Sequence, residues 1–367
     1  MDVSEPYTQR IVGLDVVKII AMLSVVVSHA LNVLVFYRQD PAMTTICHSL
    51  TAGGVPLFFM VSGYLLLGRK GTTYKYVAHK IWAIVRYIAV CCILYWGIMA
   101  LIHWDYTQIK HCADEFINTF LLRGPFTPFW FLWSMSAIYL LLPLNHCFYT
   151  RHTRAFAWSV AILGVFCILL FAAQFTDLRY SDRSLLQPLK MWKWLFFFAL
   201  GGVLRAYPTP HLHWGWIAIC AAVLNAAQRY YLEPVIHDTS NLTFAGSPIS
   251  LLFYLAVFCW AVQRKWSENY VLRNAGVLFM PVYTIHYIII QNLSPLHNLG
   301  FGSYITYPLL ICVLSVAASL ILLHLPLKGG MARFFKLGPI ATYSIILIVL
   351  TLHRQAIQIH ESRHPCG

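Results

Sequence analysis

Residues 11–36 read IVGLDVVKIIAMLSVVVSHALNVLVF, and Asp15, Lys18 and His29 are the only ionisable side chains in the stretch. A helix needs about 20 apolar residues to cross roughly 30 Å of hydrocarbon, so this run has the length of a span. It is longer than the apolar core of a signal peptide. The preceding Met1–Gln9 carries Asp2 and Glu5 and no basic cluster, so the run is expected to stay as an anchor rather than be cleaved.

Working outward, apolar segments of similar kind recur at 52–67, 78–102, 128–148, 155–173, 190–206, 213–229, 247–263, 275–293, 304–325 and 338–353. The segment 213–229 is weakened by Asn225 and Gln228, and the last lies beyond a basic, Gly-containing linker at Lys328–Lys336. The fold expected is all-α, a polytopic integral membrane bundle of ten or eleven transmembrane helices. Composition agrees: 59% of residues are hydrophobic and 11% charged, against about a quarter charged in soluble domains. No hydrophilic stretch is long enough for a separate soluble domain. Residues 1–325 therefore read as one membrane domain in which any chemistry must occur, followed by a C-terminal linker and extra segment at 326–367.

The net charge of +13 does not point to nucleic acid, because the Lys and Arg lie in short loops between apolar segments, where they set topology. Arg69, Lys70, Lys75 and Lys80 fall in one loop; Arg151 and Arg154, then Arg264, Lys265 and Arg273, then Lys328, Arg333 and Lys336 fall in alternate later ones. The opposite loops hold Asp105, Asp114, Glu115, Asp177, Asp182, Glu233 and Asp238. This pattern places the N-terminus in the cytoplasm. Cys91, Cys92, Cys167, Cys220, Cys259 and Cys312 sit inside apolar segments as small hydrophobes. No CxxC pair marks a metal site, and none is expected. Cys47 and Cys112 fall in outer loops and are the pair a disulfide would use there.

Chemistry starts on the first span. Eleven residues at about 100° each return to within about 20° of the start, so Lys18 and His29 share one face about 16 Å apart along the axis. Asp15, three residues before Lys18, can pair with it. The stripe offers a cation near the cytoplasmic end and a titratable base deeper in; a snorkelling Lys18 and an interfacial His29 would give the same spacing. In the second span, Gly53, Gly54 and Gly63 permit close approach by a helix or a ligand. Ser62 there donates either to a ligand or to its own helix.

Lys18, ten residues, then His29, followed by GVPLFFMVSGYLL at 54–66, resembles the acyltransferase-3 family of membrane acyltransferases. Phe129-Trp130-Phe131-Leu132 running to Pro143, Val282-Tyr283-Thr284-Ile285-His286 and Phe198-Ala199-Leu200-Gly201-Gly202 resemble later family segments, so the likeness runs from about residue 11 to about 325. The second motif is similar to the branch that acetylates enterobacterial common antigen and related surface glycans. The resemblance implies an O-acyltransferase of the bacterial inner membrane. It would move an acetyl group from cytoplasmic acetyl-CoA to a sugar hydroxyl of a surface or lipid-linked glycan. It carries the family's basic residue and first histidine onto Lys18 and His29, and its late histidine onto His286. One departure concerns the donor end: the family's Arg-x-x-Arg is replaced by a different spacing, with Lys80 and Arg86.

The residues suit this chemistry. A hydroxyl attacks a thioester when a base takes its proton, and histidine serves near neutral pH. The catalytic candidates are His29, His286 and Asp15. Lys18, Ser62, Arg69, Lys80 and Arg86 are candidates for holding acyl-CoA, and Trp130 and Tyr283 for walling the substrate cavity. His48, His103, His111, His211 and His213 read as loop or interface residues. A proton-coupled secondary transporter is the competing reading, since intramembrane His and Lys also suit a carrier; a non-catalytic membrane receptor or assembly partner is the third. Membrane lipids are partners in every case.

Overall fold

The structure is a computed structural model that describes residues 10–36, 41–176, 186–236, 241–268, 270–294 and 303–324. Among them every regular element is helical. The helices are α1 (Val12–Phe36), α2 (Pro41–Thr51), α3 (Gly54–Leu66), α4 (Tyr74–His103), α5 (His111–Leu121), α6 (Trp130–Arg151) and α7 (Thr153–Ala172). They continue with α8 (Met191–Ala206), α9 (Trp214–Ile236), α10 (Asn241–Phe244), α11 (Pro248–Gln263), α12 (Tyr270–Leu293) and α13 (Ser303–His324). Among the described residues five stretches are long and apolar enough to cross a membrane: Val12–Phe36, Ala42–Leu66, Tyr74–Leu101, Thr127–Arg151 and Thr153–Phe175. Pro248–Gln263, Leu278–Leu293 and Tyr304–Leu320 are apolar but shorter.

Ten of the expected segments coincide with helices. The eleventh, 338–353, lies outside the described residues, as do Met1–Gln9, the linker at Lys328–Lys336, and Asp177, Asp182 and Asp238. Two expected loops are corrected: Cys47 and His48 lie on α2, and Cys112, Asp114 and Glu115 on α5. Cys47 and Cys112 are both thiols, not a disulfide, and the Cys112 thiol points to the Cys92 carbonyl at 3.9 Å.

The distribution of side chains is that of a protein solvated by lipid. Helix α7 turns Trp158, Ile162, Val165 and Leu169 outward, and α13 does so with Ile305, Leu309 and Val313. Polar groups such as Asn225, Arg229 and Ser250 are buried instead. In water that arrangement would expose a large apolar surface; in a bilayer it buries the costly groups.

The chain forms two compact units, one of Met1–Ile81 with Phe131–Gly276, the other of Trp82–Trp130 with Val277–Gly367. In the first, α3 packs against α1 and α8, α1 also meets α2 and α11, and α9 packs on α2 and α11. The α3–α8 contact is backbone to backbone. A methyl group at Gly63 would overlap the Phe198 carbonyl oxygen, and one at Gly201 would overlap that of Met60. Small residues create this seam because apolar side chains gain little by leaving lipid, whereas close backbone packing does. Phe59 stacks on Trp194 at 5.3 Å along it, and Arg205 donates to the Tyr64 carbonyl at 3.2 Å.

In the second unit the Tyr87 and Thr284 hydroxyls bond α4 to α12, and the Tyr307 hydroxyl reaches the Ile290 carbonyl at 3.5 Å. Helix α5 ends on Leu122 in the left-handed conformation (φ 59°). The chain then passes Gly124 (φ 74°) and a 3-10 turn at Thr127–Phe129 before entering α6.

Candidate active site

The stripe on α1 begins with a three-charge cluster. The Asp15 carboxylate, 9% exposed, accepts from Arg10 Nε at 2.7 Å and from Lys18 Nζ at 3.1 Å. Arg10 Nη2 also donates to the Leu272 carbonyl at 2.8 Å. One carboxylate thus sits between two cations and leaves that end of α1 positive. Asp15 takes one of the three donors of Lys18, and the Lys18 side chain keeps 28% of its surface exposed. The expected Asp15–Lys18 pair is present. Arg10 was missed, because it precedes the helix and lies off the i, i+3 and i, i+4 ladder on which sequence reading relies.

His29 lies further along α1 and is half-buried. The carbonyl of its neighbour Ser28 is 3.1 Å from His48 Nε2, and His48 is 3% exposed. His48 is therefore not a loop histidine: it is packed from α2 against the helix that carries His29. The turn structure hid this, because α2 folds back onto α1 and only tertiary contact brings the two histidine segments together.

Arg69 and Lys80 converge on Tyr76, with Arg69 Cζ 4.7 Å and Lys80 Nζ 5.6 Å from its ring centre. Arg69 also donates to the Tyr76 hydroxyl at 3.2 Å. Both cations are exposed, and Ser62 is half-buried on α3. Two of the predicted anion-holding residues are thereby gathered around one aromatic ring.

The second unit holds Arg86, Trp130, Tyr283 and His286. Arg86 Nε is buried and has no hydrogen-bond partner among the described residues. His286 is fully buried, with Nδ1 3.1 Å from the Val282 carbonyl. Tyr283 donates its hydroxyl to the Pro128 carbonyl, and its ring lies nearly parallel to Phe129 at 6.1 Å. Trp130, which opens α6, is also buried. Among the described residues no group of His, Cys, Asp and Glu is arranged to hold a metal ion.

Glu115, expected in an outer loop, is instead a buried residue of α5. It is 2% exposed, and Oε1 has no hydrogen-bond partner among the described residues. Its carboxyl lies against Gly124, where a Cβ would come within 2.5 Å of Oε1. Burial pushes the carboxyl from 4.5 up to about 7, with the Phe126 backbone amide and the Trp96 side chain pulling the other way.

The sequence pattern of the acyltransferase-3 family, described as an acyltransferase domain, matches residues 11–324. The chain belongs to the acyltransferase-3 family. The match includes the α1 stripe, the glycine seam between α3 and α8, and the His286 turn, so this acyltransferase-3 protein is a membrane acyltransferase. Comparisons with curated proteins and with solved structures find no match.

Proposed function

We propose that the protein transfers an acetyl group from cytoplasmic acetyl-CoA to a sugar hydroxyl of a surface or lipid-linked glycan, from the bacterial inner membrane with its N-terminus in the cytoplasm. The observation that carries this reading is the α1 stripe, an Asp15-anchored Lys18 at one end and the half-buried His29 about three turns further on. The hydroxyl oxygen attacks the thioester carbonyl while His29 takes its proton; the new C–O bond forms and the C–S bond breaks. The proton passes from His29 to the departing CoA thiolate. Lys18, Arg69 and Lys80 supply cations for the CoA phosphates, and Tyr76 supplies an aromatic face between two of them. Asp15 acts through Lys18 and Arg10, which it holds in place. Arg86, with its buried unsatisfied Nε, is a further hydrogen-bond donor for an anion. His286 is the second base on offer, and Tyr283 and Trp130 are assigned to substrate contact.

The test is transfer by the purified protein in liposomes with acetyl-labelled acetyl-CoA. Label should appear on extracted lipid-linked glycan, with CoA released in equal amount. Glycan uptake without CoA release would be carrier behaviour and would overturn the reading. Mass spectrometry of the labelled glycan identifies the hydroxyl.

A further inference from the structure

A groove of about 760 Å³ runs between α1, α9 and α11 at the end where α1 begins. It is not part of the catalytic stripe. Ile20 lines it, and Ile20 is two residues, hence about 200°, around α1 from Lys18.

Its walls change character along its length. Arg264, His211 and His213 line it where α11 ends and α9 begins, and Ile219, Val257 and Ile20 line it further along their helices. Val257 precedes Arg264 by two turns of α11, about 10 Å along the axis. A cationic mouth over an apolar trough, beside the 68%-exposed Trp216, is the arrangement expected at a membrane interface, where indoles gather.

The mouth is also fixed in shape. Arg264 Cζ lies 5.2 Å from the Trp266 ring and 5.9 Å from that of Trp260, and Trp266 Nε1 is tied to the Ala261 carbonyl at 2.7 Å. Gln263 Nε2 holds the Thr209 hydroxyl at 2.7 Å and its carbonyl at 3.0 Å, pinning the rim at 207–213 to α11. Arg264 forms no ion pair with a carboxylate among the described residues. Lys265 beside it adds charge, and Glu268 is the acid nearest in sequence. A guanidinium held against two indoles, themselves packed edge to face at 5.4 Å, presents a planar fork suited to a phosphate.

We propose that this groove binds one anionic diacyl phospholipid, its phosphate on Arg264 and one acyl chain along Ile20, Ile219 and Val257. The net positive mouth selects against lipids whose headgroup carries its own cation, and the apolar trough selects against free phosphate.

Native mass spectrometry of the delipidated full-length protein tests this with phosphatidylglycerol and phosphatidylcholine as probes. One phosphatidylglycerol should bind at least about tenfold more tightly than phosphatidylcholine. Arg264→Gln should remove that preference. Ile219→Trp, which fills the trough and leaves the cations, should weaken both lipids while the melting temperature is kept. Equal binding of the two lipids, or a preference that survives Arg264→Gln, overturns the proposal. So does displacement of the lipid by acetyl-CoA, which would assign the groove to the acyl donor.

Discussion

Helix α1 carries Asp15, Lys18 and His29 through an apolar segment, and α9 carries Asn225, Gln228 and Arg229 through another. On α1 the Lys18 side chain keeps 28% of its surface exposed and His29 is half-buried. On α9 Arg229 has none: its Nε lies 3.3 Å from Glu233 Oε2 and its guanidinium sits over Phe244 at 4.7 Å. Asn225 donates to the Ser49 carbonyl at 2.8 Å and accepts from the Ser250 hydroxyl at 2.7 Å, and Gln228 donates to Ser247 at 2.9 Å. The α9 groups cross-link α2, α9 and α11 and use one another up. A polar residue in a membrane segment is costly in either case; what separates the two cations is burial, since Lys18 keeps 28% of its side-chain surface exposed and Arg229 keeps none.

The largest effect expected is on α1. His29→Ala should lower acetyl transfer by about 10²- to 10⁴-fold with the melting temperature in detergent unchanged. A fall in melting temperature as large as that of an α9 variant would erase the distinction. On α9 the reverse holds. Arg229→Met leaves Glu233 without its partner and should cost about 3–5 kcal/mol of stability, read as an early melt and poor recovery of monodisperse protein. Adding Glu233→Gln should restore much of the loss; no restoration would mean that the pair is not the clamp.

Glu115 extends the contrast to a buried acid whose burial is only partly offset. An unfolded glutamate ionises near 4.5 and this one near 7, so the folded state holds the proton more tightly. The stability this confers is complete below pH 4.5 and is lost as pH rises through 7. Glu115→Gln should flatten that fall, which amounts to at most about 3 kcal/mol; melting curves between pH 4 and 8 decide it. The smallest effect is Lys18→Ala, expected to raise the KM for acetyl-CoA about tenfold, about 1.4 kcal/mol, with kcat nearly intact. An unchanged KM removes Lys18 from the donor site.

Much of the fold was legible. The apolar segments of 155–173 and 190–206 agree with α7 and α8 to within two residues at each end. The segment 213–229 stops short of α9, which runs to Ile236, because Asn225 and Gln228 look like an ending when their partners are unseen. Helices α2 and α5 look like loops in the sequence, since their mixed sequences depend on packing against neighbours rather than on an apolar run. The glycines of 53–63 were read as sites of close approach, and Gly63 is one, with the α8 backbone as its neighbour. Within the candidate site, the Asp15–Lys18 pair was legible from spacing, whereas Arg10 and His48 were not.

The sequence by itself determined the membrane class, the order of the helices, the α1 stripe and the family resemblance. All four rest on local information: segment length, the 100° step of a helix, and short motifs. Only the tertiary structure decided which polar residues are buried against distant partners. One partner of Asn225 is 176 residues away at Ser49, and one of Arg205 is 141 residues away at Tyr64. Helical periodicity says which way a side chain points, but what it meets there is set by helices far away in the chain.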